Sequence, residues 1–191
     1  MSRPPAAPDD AALVGAALGG DQRAFTEIMG RHKGAVYGFI RRYVGDHDEA
    51  HDLVQETFVS AWAALSGFER DKSMAAWLRR IALNKCRDWS RRRRVRSFFY
   101  GATSIEASPR ALSAPMGSGD REEESMLSAL DTALAALPKA LKEPLLLSAL
   151  EGLSHKETAD LLGVSPKAVE TRIYRARRIL ARELSQEQSG R

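Results

Sequence analysis

The strongest constraint on the fold is a short stretch near the C-terminus, LSHKETADLLGVSPKAVETRIYRARR, which spans Leu153 to Arg178. Ser154 and Glu157 have the S-x-x-E spacing of a capping box, which opens a helix. Gly163 provides a residue at which this helix can stop and the chain reverse. Ser165 can cap a second helix, and the proline after it suits a first helical position. This spacing predicts a helix-turn-helix.

The second of these helices is strongly amphipathic. Its apolar residues fall within about 40° of one another on a helical wheel, and they are Val169, Ile173, Ala176 and Leu180. The opposite side carries Lys167, Thr171, Tyr174 and Arg178, with Arg175 beside them. The packing face meets the first helix, where Ala159, Leu161 and Leu162 are the predicted buried positions. The other face has the donors and the aromatic ring that a DNA-recognition helix needs. The alternative is a surface helix with a solvated charged face.

The N-terminal part has the apolar periodicity of helices throughout. The predicted segments are Asp10–Leu18, a helix capped by Asp21 that ends at Gly45, a helix capped by Asp46 that continues to about Leu65, and a helix capped by Ser73. In the third, the apolar stripe includes Trp62. No segment has a convincing period of two, so an all-α fold is expected.

Composition divides the chain into two small helical domains joined by a flexible linker. Pro, Gly, Ser and Ala dominate residues 97–119, and an acidic run follows over Asp120–Glu124, so the linker is predicted over residues 97–123. Residues 1–96 then form an N-terminal helical bundle and residues 124–191 a C-terminal helix-turn-helix domain. One helix is predicted over about Glu124–Ala136. The next starts either at Pro138 or near Lys142, because Pro144 suits a first turn but breaks a helix interior.

Positive charge is concentrated in two blocks. Residues 72–96 contain ten Lys or Arg and one Asp, and residues 165–182 contain six against one Glu. Such blocks predict a polyanion held at two places. The first block also contains Trp77 and Trp89, and aromatic rings beside arginines suit DNA that is at least partly opened. Alternatively, the two tryptophans are core residues and Arg91–Arg94 are a solvated helix end.

Several other classes of protein are disfavoured. No stretch reaches the ~18 apolar residues of a membrane span, and the N-terminus lacks the pattern of a secretory signal. One cysteine, Cys86, fits a reducing cytoplasm. His47 and His51 are four residues apart, but a zinc site needs a third ligand and none is evident. No phosphate loop or nucleophile motif occurs, so we expect no enzyme activity, no metal and no cofactor.

Three segments resemble one family. DLVQETFVSAW (Asp52–Trp62), MAAWLRRIALNKCRDWSRRRR (Met74–Arg94) and the segment from Ala136 to Arg177 are similar, in order and spacing, to the two conserved regions of extracytoplasmic-function sigma factors. These are small bacterial initiation factors of the sigma-70 superfamily. The resemblance covers about Asp21 to Leu184.

The resemblance implies a role for each segment. Residues 1–96 would be the region 2 domain, in which Asp52, Gln55 and Glu56 bind core RNA polymerase. Trp77 and Asn84 would read and melt the downstream promoter element beside the basic run Arg91, Arg92, Arg93 and Arg94. Residues 124–191 would be the region 4 domain. Its upstream-element readers would be Glu170, Thr171, Tyr174 and Arg175, with Lys167, Arg172 and Arg178 as further DNA contacts. An anti-sigma factor would be a regulatory partner.

Two features depart from the family pattern. Glu170 stands where relatives often have a basic or small residue, so a cytosine amino group is its expected partner. Pro144 interrupts a helix that many relatives continue. Two other interpretations stay open: a stand-alone helix-turn-helix regulator with a sensing or dimerising N-terminal part, and a helical scaffold whose basic patches bind a protein.

Overall fold

The computed structural model describes residues 9–100 and 130–189 of the 191-residue chain, and within these two ranges the chain forms helices and no strand. The helices are α1 (Asp10–Leu18), α2 (Gln22–Val44), α3 (His47–Ala64), α4 (Met74–Tyr100), α5 (residues 130–136), α6 (Lys139–Leu145), α7 (His155–Leu162) and α8 (Pro166–Ser189). A 3₁₀ turn follows α3 at Leu65–Gly67, and a π-helical turn follows α6 at Leu146–Leu150. The all-α prediction is confirmed.

The helix boundaries in the N-terminal part follow the predicted caps. The Asp21 carboxylate accepts a hydrogen bond from the Arg23 N–H at 2.9 Å, and the Asp46 carboxylate accepts one from the Glu49 N–H at 2.9 Å. Gly45 ends α2 at φ 78°, in the left-handed region that favours glycine. Each cap satisfies a backbone group that the helix end would otherwise leave without a partner.

Helices α1 to α4 pack into a bundle around an apolar interior, as the periodicity predicts. Its fully buried large side chains include Ile28, Phe39, Ile40, Leu53 and Leu78. Trp89 is buried in this interior, whereas Trp62 is not. Trp89 is only 6% exposed and donates its indole N–H to Glu49 at 2.7 Å, so the core interpretation holds for this residue.

Trp62 corrects the predicted apolar stripe of α3. Its side chain is 44% exposed and contacts Phe25 edge-on, with ring centroids 4.9 Å apart. The stripe curves around α3 more widely than the neighbouring helices can cover, so the C-terminal end of the stripe stays at the surface.

The helix that contains Pro144 begins at the earlier of its two predicted starts. Helix α6 begins at Lys139, directly after Pro138, so Pro144 occupies its interior instead of its first turn. Proline has no N–H to donate to the carbonyl four residues before it. The helix nevertheless continues, and it widens into the π-helical turn immediately afterwards.

The predicted linker begins at residue 97, whereas α4 continues to Tyr100. No glycine or proline occurs between Arg94 and Tyr100 to end the helix earlier. The rest of the predicted linker and residues 124–129 of the predicted helix lie outside the described residues. The C-terminal helices pack on the N-terminal bundle, and one apolar core runs through both.

Candidate nucleic-acid interface

The helix-turn-helix is built by the local signals that predict it. The Glu157 N–H donates to the Ser154 hydroxyl at 3.2 Å, and the Ser154 N–H donates to the Glu157 carboxylate at 2.9 Å. The Ser154 hydroxyl also donates to the Glu157 carboxylate at 2.6 Å, and this bond, together with the one from the Ser154 N–H, holds the pKa of the Glu157 carboxyl below its usual value. Gly163 ends α7 at φ 68°, and Ser165 accepts from the Ala168 N–H at 3.2 Å. The end of α7 and the start of α8 are therefore both fixed by local residues, Gly163 and Ser165.

The packed face of α8 is confirmed by its burial. Val169, Ile173, Ala176 and Leu180 are each at most 8% exposed. On α7, Ala159 is buried as expected, but Leu161 and Leu162 are only partly buried. Thr158 is fully buried in their place, which the sequence reasoning missed. Because α7 has only eight residues, its last turn lies at the rim of the domain, and its middle turn faces the core.

The outer face of α8 presents most of the predicted DNA-contacting residues together. Lys167, Glu170, Tyr174, Arg175 and Arg178 are all exposed. The Arg178 guanidinium lies over the Tyr174 ring, 5.8 Å from its centroid. Lys167 pairs with Glu170 at 2.8 Å, and this contact lowers the pKa of the Glu170 carboxyl. Glu170 is thus a carboxylate that can only accept hydrogen bonds.

Two predicted α8 contacts are less accessible. Thr171 and Arg172 are half-buried at the edge of the packed face. The Thr171 hydroxyl donates to the Lys167 carbonyl at 2.9 Å within the helix. The centre of the exposed face is accordingly formed by Glu170, Tyr174 and Arg175.

Helix α4 carries the second set of predicted residues along its length. Trp77 is half-buried and contacts Phe68 edge-on at a centroid distance of 5.2 Å, whereas Asn84 is exposed two turns further on. Arg91–Arg94 are all exposed. Arg91 pairs with Asp88, Arg92 lies 3.7 Å from Glu56, and Arg93 lies over the Trp89 ring at 5.2 Å.

The predicted polymerase-binding residues on α3 separate into two groups. Asp52 and Gln55 are exposed, whereas Glu56 is half-exposed and lies 3.7 Å from both Lys85 and Arg92 of α4. Sequence reasoning missed a second part of the exposed face. Val59 is 70% exposed, and with Trp62 it continues the line of Asp52 and Gln55 at spacings of three and four. That spacing was the available signal.

Sequence reasoning also missed two ion pairs that join α4 to the C-terminal helices. Arg79 pairs with Glu151, and Arg87 pairs with Glu143. Arg79 and Arg87 belong to the basic block of residues 72–96, which by itself indicates only a binding site for a polyanion. The carboxylates stand at the two ends of an apolar run, which was the signal that could have marked them as buried.

The histidine pair does not form a recognisable metal site. The His47 and His51 rings are 4.5 Å apart, and His51 also lies 4.8 Å from the Tyr37 ring. Residues 9–100 and 130–189 contain no group of three or more potential His, Cys, Asp or Glu ligands. In the same described ranges, no helix combines the length and the apolarity required to cross a membrane.

Comparison with known proteins identifies both halves. The model described as sigma-70 region 2 matches residues 28–96, and that described as sigma-70, region 4 matches residues 127–180. The RNA polymerase sigma factor NccH of Alcaligenes xylosoxydans xylosoxydans is 39% identical over 168 residues, which cover 88% of this chain and 90% of NccH.

Two solved structures have the same arrangement of helices. CnrH in complex with the cytosolic domain of CnrY has a TM-score of 0.65 and 34% identity, covering 93% of this chain and 97% of CnrH. The sigma factor RpoE in complex with the anti-sigma factor NepR, from Bartonella quintana, has a TM-score of 0.69 and 28% identity, covering 84% and 96%. These relatives are transcription initiation factors. The ECF RNA polymerase sigma-E factor of Haemophilus influenzae is 30% identical over 181 residues, which cover 92% of this chain and 95% of that protein. With matches over both halves and relatives of this kind, the chain belongs to the extracytoplasmic-function sigma factors of the sigma-70 superfamily.

Proposed function

We propose that this protein binds core RNA polymerase, directs it to promoters with two recognised elements, and promotes opening of the downstream element. It acts by binding and not by catalysing a reaction of its own. Its place of action is the cytoplasm, where bacterial polymerase and promoters are found. Helix α8 reads the upstream element, and α4 contacts the downstream element.

The exposed face of α3 is the observation that carries this proposal over a stand-alone regulator. Asp52, Gln55, Val59 and Trp62 recur at spacings of three and four, which is the spacing of a seam between two long helices. Val59 at 70% and Trp62 at 44% exposure present an apolar surface to solvent. A coiled coil of the polymerase would cover this surface. We assign Glu56 to holding α4 in place, because it lies beside Lys85 and Arg92.

An anti-sigma factor is proposed as the regulator. The similar CnrH and RpoE structures were each solved in complex with a second protein, CnrY and the anti-sigma factor NepR. Because this chain covers 97% and 96% of those two chains, a partner that binds them can find the corresponding surfaces here.

Co-elution with purified core polymerase in gel filtration tests the proposal. The double variant Asp52→Lys/Val59→Glu places two charges on the α3 face at exposed positions, so we expect it to fold normally and to lose co-elution. The control Glu183→Lys changes an exposed residue of α8 and should co-elute like the wild type. If the double variant still co-elutes, the α3 interface is wrong. If the wild type fails to co-elute, the proposed function itself is wrong.

A further inference from the structure

Helix α1 supports the loop of residues 68–73, which leads into α4. A Cβ built on Gly15 of α1 would lie 3.4 Å from Nη1 of Arg70 and 3.6 Å from both its Cζ and its Nη2. Because these three distances are nearly equal, the guanidinium packs with its flat side against α1. The absence of a side chain on Gly15 leaves the room for this contact. Arg70 is exposed, yet one side of its guanidinium has a defined support.

The support is itself fixed in the bundle. On the inward side of α1, Val14 and Ala17 are at most 4% exposed. At the start of the helix, the Asp10 carboxylate lies 2.9 Å from His32 Nε2 of α2. Gly15 lies between these two attachments, so the surface that the guanidinium contacts cannot shift without disturbing packed side chains.

The other polar groups around this arginine have partners within the loop. Lys72 Nζ donates to the Glu69 carboxylate at 2.8 Å, and the Lys72 N–H donates to the Glu69 carbonyl oxygen at 3.0 Å. The Ser73 hydroxyl accepts from the Ala76 N–H at 3.3 Å, at the start of α4. Within residues 9–100 and 130–189, by contrast, no carboxylate pairs with Arg70. The N–H groups along the edge of its guanidinium are therefore available to an anion.

The loop places this cation at the end of α4 that we assign to the downstream element. Phe68 is 7% exposed and contacts the Trp77 ring at a centroid distance of 5.2 Å. Arg70 follows Phe68 by two residues, so it lies on the side from which DNA would approach Trp77. Because a DNA strand carries a phosphate at every nucleotide, a strand that contacts Trp77 also brings phosphates to this loop.

We propose that Arg70 binds a backbone phosphate of the promoter strand beside the downstream element, and that Gly15 is the positioning residue that holds its guanidinium for this contact. The assignment rests on the proposed function, which places the start of α4 at DNA. A guanidinium whose flat side is covered and whose edge is free can bind a phosphate through two parallel hydrogen bonds. Helix α1 thereby takes part in DNA binding without contacting DNA.

The first experiment measures the phosphate contact in holoenzyme reconstituted from core polymerase and the full chain. Its probe is a promoter fragment mismatched across the downstream element, at several salt concentrations. Arg70→Ala should bind less tightly, and its log–log salt slope should be shallower by about 0.7, as expected when one contact to single-stranded DNA is lost. Arg70→Lys keeps the charge but not the fork, and should also bind less tightly. Arg23→Ala removes an exposed arginine at the start of α2 and should keep the wild-type slope.

The second experiment tests the positioning residue without changing a charge. The side chain in Gly15→Leu would take the place of the guanidinium, so the salt slope should fall about as far as in Arg70→Ala. Gly15→Ala should stay close to the wild type, because its Cβ would make an ordinary contact at 3.4 Å. Gly30→Leu is the matched control, since apart from its own helix no neighbour in the described residues lies within 4 Å of a Cβ built there. Circular dichroism checks folding, and Gly15→Met replaces Gly15→Leu if that variant does not fold.

The double variant Gly15→Leu/Arg70→Ala separates positioning from a general effect on the fold. If Gly15 acts through Arg70, then adding Gly15→Leu to Arg70→Ala should change neither the affinity nor the slope any further. A further loss in the double variant would show that Gly15→Leu acts on the fold, and would overturn the positioning role.

The remaining outcomes separate this contact from the proposed function. An unchanged slope for Arg70→Ala, in a holoenzyme that binds the fragment, would overturn the phosphate contact. Loss of co-elution with core polymerase in Arg70→Ala would show that Arg70 binds an acidic group of the polymerase, and would overturn it as well. No binding of the fragment by the wild-type holoenzyme would instead reject the DNA-binding function of α4.

Discussion

At the scale of single residues, the nearest partner decides what a charged side chain does. Glu56 faces two cations across a helix interface, Glu143 is enclosed by Arg87 and Tyr43, and Glu170 lies in the open beside Lys167. Only the last of these carboxylates is placed to meet a DNA base. Its pairing with Lys167 also means that each of these two side chains orients the other.

Glu170→Arg tests the role of this position. The change removes an acceptor that suits a cytosine amino group and adds a donor fork that suits guanine, so the preferred base at one upstream position should change. A binding selection on randomised upstream elements, with wild type and variant in parallel, measures this. Both side chains at position 170 would be exposed, so the fold should be preserved.

Arg175→Ala and Lys167→Ala are the matched comparisons for that selection. Arg175→Ala should cost about 1–3 kcal/mol at the preferred element if the side chain binds a base edge. Lys167→Ala should weaken binding evenly across sequences and make the salt slope shallower by about 0.9. Selections that return the same sequence for wild type and Glu170→Arg would show that Glu170 reads no base.

At the scale of elements, α4 combines several tasks on one continuous helix. In its first turns, Trp77 packs against Phe68 of the preceding segment. Asn84 is exposed in the middle of the helix, and Arg91–Arg94 are exposed further along. A helix repeats its faces every 3.6 residues, so one side can pack while others stay available. Rigid attachment along one face holds the exposed groups at constant spacing.

Asn84→Ala isolates the opening step. Because Asn84 is exposed, its loss should leave the fold intact. Losing hydrogen bonds to a base edge costs about 1–3 kcal/mol, so transcription from a duplex promoter should fall by about tenfold. On a promoter already mismatched at the downstream element, the bases are already unpaired, so Asn84→Ala should reduce transcription less. Transcription measured on both templates decides the matter.

Trp77→Ala provides the comparison for that assay. This side chain is half-buried against Phe68, so part of its effect should appear as reduced stability in thermal unfolding. An equal loss on both templates for Asn84→Ala would argue against a melting role for the middle of α4.

At the scale of the whole molecule, the two halves share one apolar core that encloses ionisable groups. Burial raises the pKa of the Cys86 thiol and of the Tyr43 hydroxyl, and Glu143 raises the latter further. Burial lowers the pKa of Lys142 to about 8. At alkaline pH the thiol and the phenol keep their protons in the folded protein but lose them on unfolding. Both groups therefore lower the free energy of unfolding as the pH rises. Lys142 has the opposite effect between about pH 8 and 10.5.

The free energy of unfolding should therefore depend on Cys86 above pH 9. The unfolded thiol has an ordinary pKa of 9.0, so ionisation favours the unfolded state as pH rises through that value. By pH 10 the wild type should lose about 1.4 kcal/mol relative to Cys86→Ala, compared with their difference at pH 8. Urea unfolding at both pH values measures this. A constant difference would show that Cys86 ionises as readily in the folded protein.

Local signals in the sequence determined most of the secondary structure. Asp21, Asp46 and Ser154 cap the predicted helices because a side-chain oxygen satisfies nearby N–H groups within three residues. The buried face of α8 follows from the 3.6-residue period alone. The exposure of Glu170, Tyr174 and Arg175, which we propose read the upstream element, follows from the same period, so the candidate DNA interface was predictable as well.

Only the tertiary structure decided what covers each helix face. The exposure of Trp62, the burial of Trp89, and the pairing of Glu143 and Glu151 with Arg87 and Arg79 depend on residues 37 to 72 positions away in the chain. Apolar periodicity shows that a side chain can be buried, but it does not show whether a neighbour arrives to bury it. Likewise, a cluster of cations in the sequence predicts that the segment binds anions. It does not show whether the anion is a phosphate or a carboxylate of a distant helix. That choice is made when the C-terminal half docks on α2 and α4, because docking removes the charges from water and leaves each one only the partner that the fold supplies.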